Sequence, residues 1–591
     1  APAAAYLMLS DVQLVAGETD GAINTLENGL QRQPRQPDLL AQLARVYLLA
    51  ERLDESAQVL ARARDAETAP VLVTQGDLAR RQGQVQATLQ AYERATRVAP
   101  GDDRGWFGLG SALTEREDTA PARTNLQQAL QLNPQGPGYR GELGTLETYA
   151  NRTVAAQEAF DQALQQNPAD YVAWTGQGLL YLKQGQPDAA LDAFLRAGVL
   201  EPRYARAKAY TAVAYYQLGR HQDAIETLVQ AAALDDKDPV PYLFMSQIYT
   251  DLFRPGDAVQ ASREAVARLP YLKSLNQVAS DQKGSANFGA ALAFAGMEDW
   301  AQEVAHQSYY PYWGASHLFL ADRYAGEFNK NSELFQGFLS DPLAFGASNR
   351  YSSLLQRAGH YGAVEVMVDR QFPQFVLPQL TLNGLGNAGL PVAYYIQTTP
   401  GSVSSFPIDV AVWAGTPAFS DPSGTAEGGL RVNTLGLGFQ PTERLGVFLY
   451  GNEFKFNMTG HNRVLLPYEI DWSQTTGSTF DHVMRQGAVG LSYRWSPTSQ
   501  TWLKTGSSFT HTDLGAYPSA IVTGNLAGLL ALYAQPEKRV EDIQVRHLFD
   551  ASAQTRWSMG WELVKERQGN LVVGTGPMAV MSAGQTSGEY I

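Results

Sequence analysis

Apolar residues recur at helical spacing from the start of the chain to about Pro270. The pattern is clearest in residues 101–134. Trp106, Leu109, Gly110 and Leu113 fall on one face of a first helix. Ala122, Leu126 and Ala129 fall on one face of a second, which Asn133 and Pro134 end. Gly110 and Ala122 are small enough to let two such helices approach closely, with Trp106 and Leu126 filling the space on either side. The helix-ending position recurs at Pro100, Pro134, Pro168, Pro202, Asp236 and Pro270, in steps of 34 residues. The small positions keep the same phase. Gly110 is matched by Gly76, Gly144 and Gly178, then by Ala212 and Ser246. Ala122 is matched by Ala156, Ala190, Ala224 and Ala258, and Ala129 by Ala95, Ala163, Ala197, Ala231 and Ala265. Trp174 repeats Trp106, and Phe160 and Phe194 stand where Leu126 does.

This pattern resembles the tetratricopeptide repeat, a helical hairpin that buries its apolar face only when copies stack. The resemblance implies an α-helical solenoid of about eight hairpins over residues 1–270. Its packing positions include Trp106, Gly110, Ala122, Ala129, Trp174, Gly178, Ala190 and Phe194. Upstream the phase loosens. Pro34 lies 66 residues before Pro100, so two repeats there share a deficit of two residues, one of them marked by Tyr47, Ala57 and Leu60. The chain starts inside a first helix with no polar capping repeat, which leads us to expect that the natural protein starts earlier. In this family, ligand-facing positions lie on the first helix of each hairpin. Carried over by phase, they include Phe107, Ser111, Tyr149, Thr175, Lys183, Arg206, Tyr216 and Gln217. The Lys and Asn with which some members clamp a terminal carboxylate are missing. Phe107, Thr175 and Ala209 stand there instead, followed by Ser111, Thr145, Leu179 and Val213. What remains is a mixed aromatic and polar groove for a protein segment or a glycan, or else a solvated face with no ligand.

Residues 271–375 are expected to form an atypical helical connector, with helices around a turn at Gly296 and further candidates from Trp313 and Asn331. Tyr309, Tyr310, Tyr312 and Trp313 cluster at a turn there, as a packed plug between domains or as a sugar-stacking or membrane-interface surface.

From 376 to 591 the period changes to two. Val489, Leu491, Tyr493 and Trp495 alternate with Ala488, Gly490, Ser492 and Arg494. Trp557, Met559, Trp561 and Leu563 alternate with Ser558, Gly560 and Glu562. Short turns around Pro441, Pro497 and Ala551 join pairs of strands, and long polar stretches, 459–480 and 513–541, lie between them. Short turns at one end, long loops at the other and strands with one apolar and one small or polar face point to an outer-membrane β-barrel, complete or partial. A soluble β-sandwich alternates in the same way. Only six to eight strands are expected after Pro391, and the chain ends on Tyr590 and Ile591 without the usual aromatic closing strand, so further strands are expected beyond it.

Composition narrows the function. A net charge of −14 argues against nucleic acid. The absence of cysteine excludes disulfides and zinc–thiolate sites and suits a periplasmic or outer-membrane setting. Gly384, Gly386 and Gly389 match a dinucleotide fingerprint, but a strand-like stretch from Val392 follows where a helix is required, so a glycine-rich bend is expected. The eight histidines are scattered, and no nucleophile elbow, metal pair or cofactor motif emerges, so no enzyme is expected. A solenoid followed by a barrel resembles the bacterial outer-membrane exporters of exopolysaccharide. That architecture implies a periplasmic arm that recruits protein partners and a pore in outer-membrane lipid that passes polysaccharide. Two alternatives remain: a factor that moves proteins to the surface, and a non-transporting scaffold with a soluble β domain.

Overall fold

The computed structural model describes residues 2–268 apart from 64 and 117, isolated residues between 271 and 343, and most of 359–590. The chain divides into two compact units, the first built on the helical repeats and the second on a sheet.

Among the described residues the first unit has sixteen helices in eight hairpins. They pair as α1 (Ala3–Val15) with α2 (Thr19–Arg32), α3 (Pro37–Leu49) with α4 (Leu53–Arg62), and α5 (Ala69–Arg81) with α6 (Val85–Val98). Next come α7 (Asp103–Glu115) with α8 (Thr119–Leu132), α9 (Tyr139–Tyr149) with α10 (Thr153–Gln166), and α11 (Tyr171–Lys183) with α12 (Pro187–Leu200). The series closes with α13 (Ala205–Gln217) and α14 (His221–Leu234), then α15 (Val240–Asp251) and α16 (Pro255–Arg268). The turn inside a hairpin passes through the left-handed region at Gly17, Glu51, Gly83, Asn151, Gly185, Gly219 and Phe253. These positions follow the repeat, except that Glu51 to Gly83 spans 32 residues. The short step falls where α4 has 10 residues against 14 in the other second helices; the helix is four residues shorter and the six-residue connection to α5 is two longer than the four-residue connections after α2 and α6, which leaves the two-residue deficit.

The glycines of the repeat form slots for aromatic rings. Tyr92 on α6 lies sixteen residues after Gly76 and sixteen before Gly108, and a Cβ at Gly76 would stand 2.6 Å from its ring. Phe160 on α10 lies in the same way between Gly144 and Gly176, where a Cβ at either would approach to 2.5 Å. Each ring therefore locks its own hairpin to the next, and each is fully buried. In the last hairpin the slot changes chemistry. Ser246 replaces the glycine, Ser262 replaces the ring, and their hydroxyls bond at 2.5 Å.

The second unit is a ten-stranded antiparallel sheet in which every strand pairs with its sequence neighbours. Its strands are β1 (Gly359–Asp369), β2 (Phe375–Asn387), β3 (Pro391–Ile408), β4 (Gly424–Thr442) and β5 (Leu445–Val464). They continue as β6 (Gln474–Ser496), β7 (Ser499–Pro518), β8 (Ala531–Ser552), β9 (Thr555–Thr575) and β10 (Met581–Tyr590). The three expected short turns are present, with Thr442 paired to Leu445, Ser496 to Ser499 and Ser552 to Thr555. A fourth, between Asn387 and Pro391, lies at the same end. This hairpin settles the Gly384 stretch, since a strand follows it and no helix N-terminus is available for a pyrophosphate.

Three expectations need correction. The sheet starts at Gly359, inside the stretch expected to be a helical connector, because Val364, Val366 and Val368 already alternate along β1. The polar stretches 459–480 and 513–541 are largely strand, since β5 runs to Val464, β6 starts at Gln474, β7 runs to Pro518 and β8 starts at Ala531. Among the described residues no pairing joins β1 to β10, so the sheet is open rather than a closed barrel. The connector helices and the Tyr309–Trp313 cluster lie outside the described residues.

Candidate functional site: the solenoid groove and the sheet's polar face

Most of the groove positions inferred from the repeat are already engaged within the solenoid. Phe107 stacks on Tyr139 with ring centroids 4.2 Å apart. Tyr149 is buried, and Thr175 turns its hydroxyl back to the Tyr171 carbonyl. Lys183 donates to the Thr148 carbonyl at 3.1 Å and to Asn151 Oδ1 at 3.3 Å. Tyr216 donates to Asp251, and Gln217, the last residue of α13, is half-buried. Ser111 is buried with no hydrogen-bond partner for its Oγ among the described residues. Of the packing positions, Gly110, Ala122, Ala129, Gly178, Ala190 and Phe194 are buried. Trp106 and Trp174 differ. Both are half-buried, and each indole N–H donates to a carbonyl six residues back, at Pro100 and Pro168. They brace the turn between hairpins rather than fill the hairpin interior.

The strongest feature of the groove is a set of charges that motif reasoning missed. Arg80 on α5 grips Glu115 on α7 through two bonds, Nε to Oε2 at 3.0 Å and Nη2 to Oε1 at 2.7 Å. Arg206 on α13 reaches the same Glu115 Oε1 at 3.4 Å. Glu142 on α9 is buried nearby. Burial pushes its carboxyl above the usual carboxylate range, against the pull of Arg206 and Arg80. Burial also raises the hydroxyls of Tyr204 and Tyr210. A signal for the network exists in the spacing. Arg80 and Glu115 stand 35 residues apart, as do Thr148 and Lys183, and Tyr216 and Asp251. One repeat plus one residue is therefore the contact distance between successive first helices at this height.

Below the groove, Arg123 on α8 forms a bidentate pair with Glu147 on α9, at 2.6 and 3.0 Å, and Arg152 adds a third contact at 3.2 Å. Glu147 is only 5 % exposed at its side chain, so this pair ties one hairpin to the next in a desolvated setting.

The sheet carries a second candidate surface, and its polarity is inverted. Val489, Leu491, Leu503, Ile543 and Trp561 are exposed. The alternating positions Ser492, Gln500, Lys504, Asp542 and Gln544 are buried. On the buried face Lys504 Nζ pairs with Asp542 Oδ2 at 3.0 Å, and Gln544 donates to Glu562 at 2.6 Å. Arg546 lies over the Trp502 ring, 5.3 Å from its centroid. Trp502 is buried, and its indole N–H has no partner among the described residues. Among the described residues no helix is long and apolar enough to cross a membrane, and no cluster of three metal-ligating side chains occurs.

Family profiles described as tetratricopeptide repeat match residues 13–70, 73–137, 142–199 and 177–239. With the hairpin geometry, these matches make the first unit a tetratricopeptide solenoid, a scaffold for protein–protein interaction. Solved structures similar to the chain include three bacterial proteins. A tetratricopeptide repeat protein from Parabacteroides merdae ATCC 43184 is 18% identical, over 44% of this chain and 91% of that one, with a TM-score of 0.29. A thermophilic tetratricopeptide repeat protein from Thermus thermophilus is 21% identical, over 32% and 100%, with a TM-score of 0.29. PilF of Pseudomonas aeruginosa is 16% identical, over 40% and 95%, with a TM-score of 0.29. No curated protein matches the sequence.

Proposed function

We propose that this protein is a non-enzymatic outer-membrane export component. Its solenoid recruits protein partners in the periplasm, and its sheet is the wall of a β-barrel that passes a polysaccharide outward. The observation that carries this reading is the inverted sheet. Long strands expose Val, Leu, Ile and Trp while burying Lys504, Asp542, Gln500 and Gln544. In water that arrangement is costly on both faces, and next to lipid it is favourable on both. Short turns gathered at one end and longer connections at the other fit the same setting. The polar face also supports the choice of cargo. Lys504 and Asp542 cancel each other's charge, Arg546 and Glu562 add one charge of each sign, and the other groups around them are amides, a hydroxyl and an indole. Such a wall suits a hydroxyl-rich neutral chain better than a charged one.

Expression with a signal peptide in a Gram-negative host, followed by envelope fractionation, tests the placement. Recovery in the outer membrane with heat-modifiable gel mobility supports it. A periplasmic protein that needs no detergent rejects it and leaves the scaffold alone. Export is read next, as polymer released from cells that make it with and without this protein. Accumulation of surface protein instead of polymer would favour a translocation factor.

A further inference from the structure

Stacked repeats touch only their neighbours, because each hairpin buries its apolar face on the next one. Two ion pairs in this solenoid break that rule. Arg206 on α13 meets Glu115 on α7 at 3.4 Å across 91 residues of sequence. Arg203, just before α13, meets Glu51, in the turn between α3 and α4, at 3.2 Å. The seventh hairpin is therefore tied to the fourth and to the second. Glu115 is held at the same time by Arg80, so two arginines from distant hairpins converge on one carboxylate. Phe107 and Ser111, candidate partner positions, lie on α7 beside this junction.

We infer that these pairs are a latch that sets the pitch of the solenoid and closes its groove over α7. The two pairs differ in strength. Glu115 is 12 % exposed at its side chain, whereas Arg203 and Glu51 are 68 % and 55 % exposed. An exposed pair holds weakly and is screened by salt, so the outer pair opens first and the inner pair follows. The lever is long. A small change in twist per repeat accumulates over the five interfaces that separate the second hairpin from the seventh, so loss of two contacts moves the ends far more than it moves any one interface. A partner entering the groove must break or replace the Arg206–Glu115 contact, which couples partner binding to solenoid pitch. The latch rests on the geometry of the solenoid alone and stands whether or not the sheet lies in a membrane.

The full chain contains no cysteine, so two introduced cysteines are labelled uniquely. Ala61→Cys on α4 and Val199→Cys on α12 are both exposed and lie in the second and sixth hairpins, ten residues from Glu51 and four from Arg203 in sequence. Spin labels there report the distance by pulsed dipolar spectroscopy. A single narrow distance is expected at low salt, with a longer and broader distribution near 1 M salt, where the screening length is about 3 Å. Arg203→Glu is expected to lengthen the distance at low salt, and Glu51→Arg combined with Arg203→Glu to restore it. Glu115→Gln, checked for unchanged helical circular dichroism, is expected to lengthen it as well. Distances that stay the same in salt and in Arg203→Glu overturn the latch, as does a lengthening that the double charge swap leaves in place.

Discussion

At the scale of single residues, the solenoid is a set of fitted positions that the repeat phase made visible. Gly144 and Gly176 leave room for Phe160, and Gly144→Ala is expected to cost about 2 kcal/mol through overpacking, read as a lower midpoint of denaturant unfolding. Phe253 holds a left-handed turn at φ 55° with its side chain 77 % exposed. Phe253→Gly is expected to stabilise the fold by roughly 1 kcal/mol, and an unchanged midpoint would contradict the strain assigned to that turn. Glu142 stands where the neighbouring repeats have Gly108 and Gly176, one period either side. Leu126 is smaller than the rings in the adjacent slots, which gives Glu142 its place. Its carboxyl is raised by burial, so it favours the folded state below its ordinary value of 4.5, and that contribution is lost as pH rises through the higher folded value. Glu142→Gln should therefore melt above the parent at pH 7, with the difference closing toward pH 4.5. A gap that does not change with pH would refute this. The small and aromatic positions were legible because they recur in phase. Glu142 and Arg80 were not, since a single departure from a repeat looks like drift until its burial is known.

At the scale of elements, helices and strands were read by different signals and failed in different places. The hairpins from Gly76 onward were legible because each one carries a stop, small positions and a periodic face, whereas the first two keep the phase only loosely. The Arg123–Glu147 pair joins two of them where water is excluded. Arg123→Met leaves Glu147 buried with only the exposed Arg152, and a loss of about 3 kcal/mol is expected in thermal or denaturant unfolding. A loss no greater than that of an exposed pair would show that the contact is solvated. The strands were legible only while one face was apolar. Around Thr459, His461 and Asn462 both faces of β5 are polar, so alternation vanishes while the ladder to β6 continues through Val464 and Gln474. The expected long loops were therefore too long, and β1 was missed for the opposite reason, since its alternation sits beside a stretch of helical composition.

At the scale of the whole molecule, the chain joins a protein-interaction solenoid to a sheet whose burial pattern is reversed. The sequence showed which strand face is apolar but not which way it points, because a sandwich and a barrel share the same alternation. Solvent exposure gives the direction: Leu491 and Leu503 are 40 % and 41 % exposed, and Lys504, adjacent to Leu503 on the same strand, is 2 % exposed. The central claim is that the apolar face meets lipid. It is tested by single cysteines, and spin labels on them, at Leu491, Ser492, Leu503, Lys504, Ile543 and Gln544 in membrane-reconstituted full-length protein. Accessibility to oxygen is compared with accessibility to a water-soluble nickel complex at each site. The account predicts strict alternation, with Leu491, Leu503 and Ile543 open to oxygen and shielded from nickel, and their neighbours shielded from oxygen. Equal exposure of both sets to the nickel complex would contradict it and leave a sheet that lies in water.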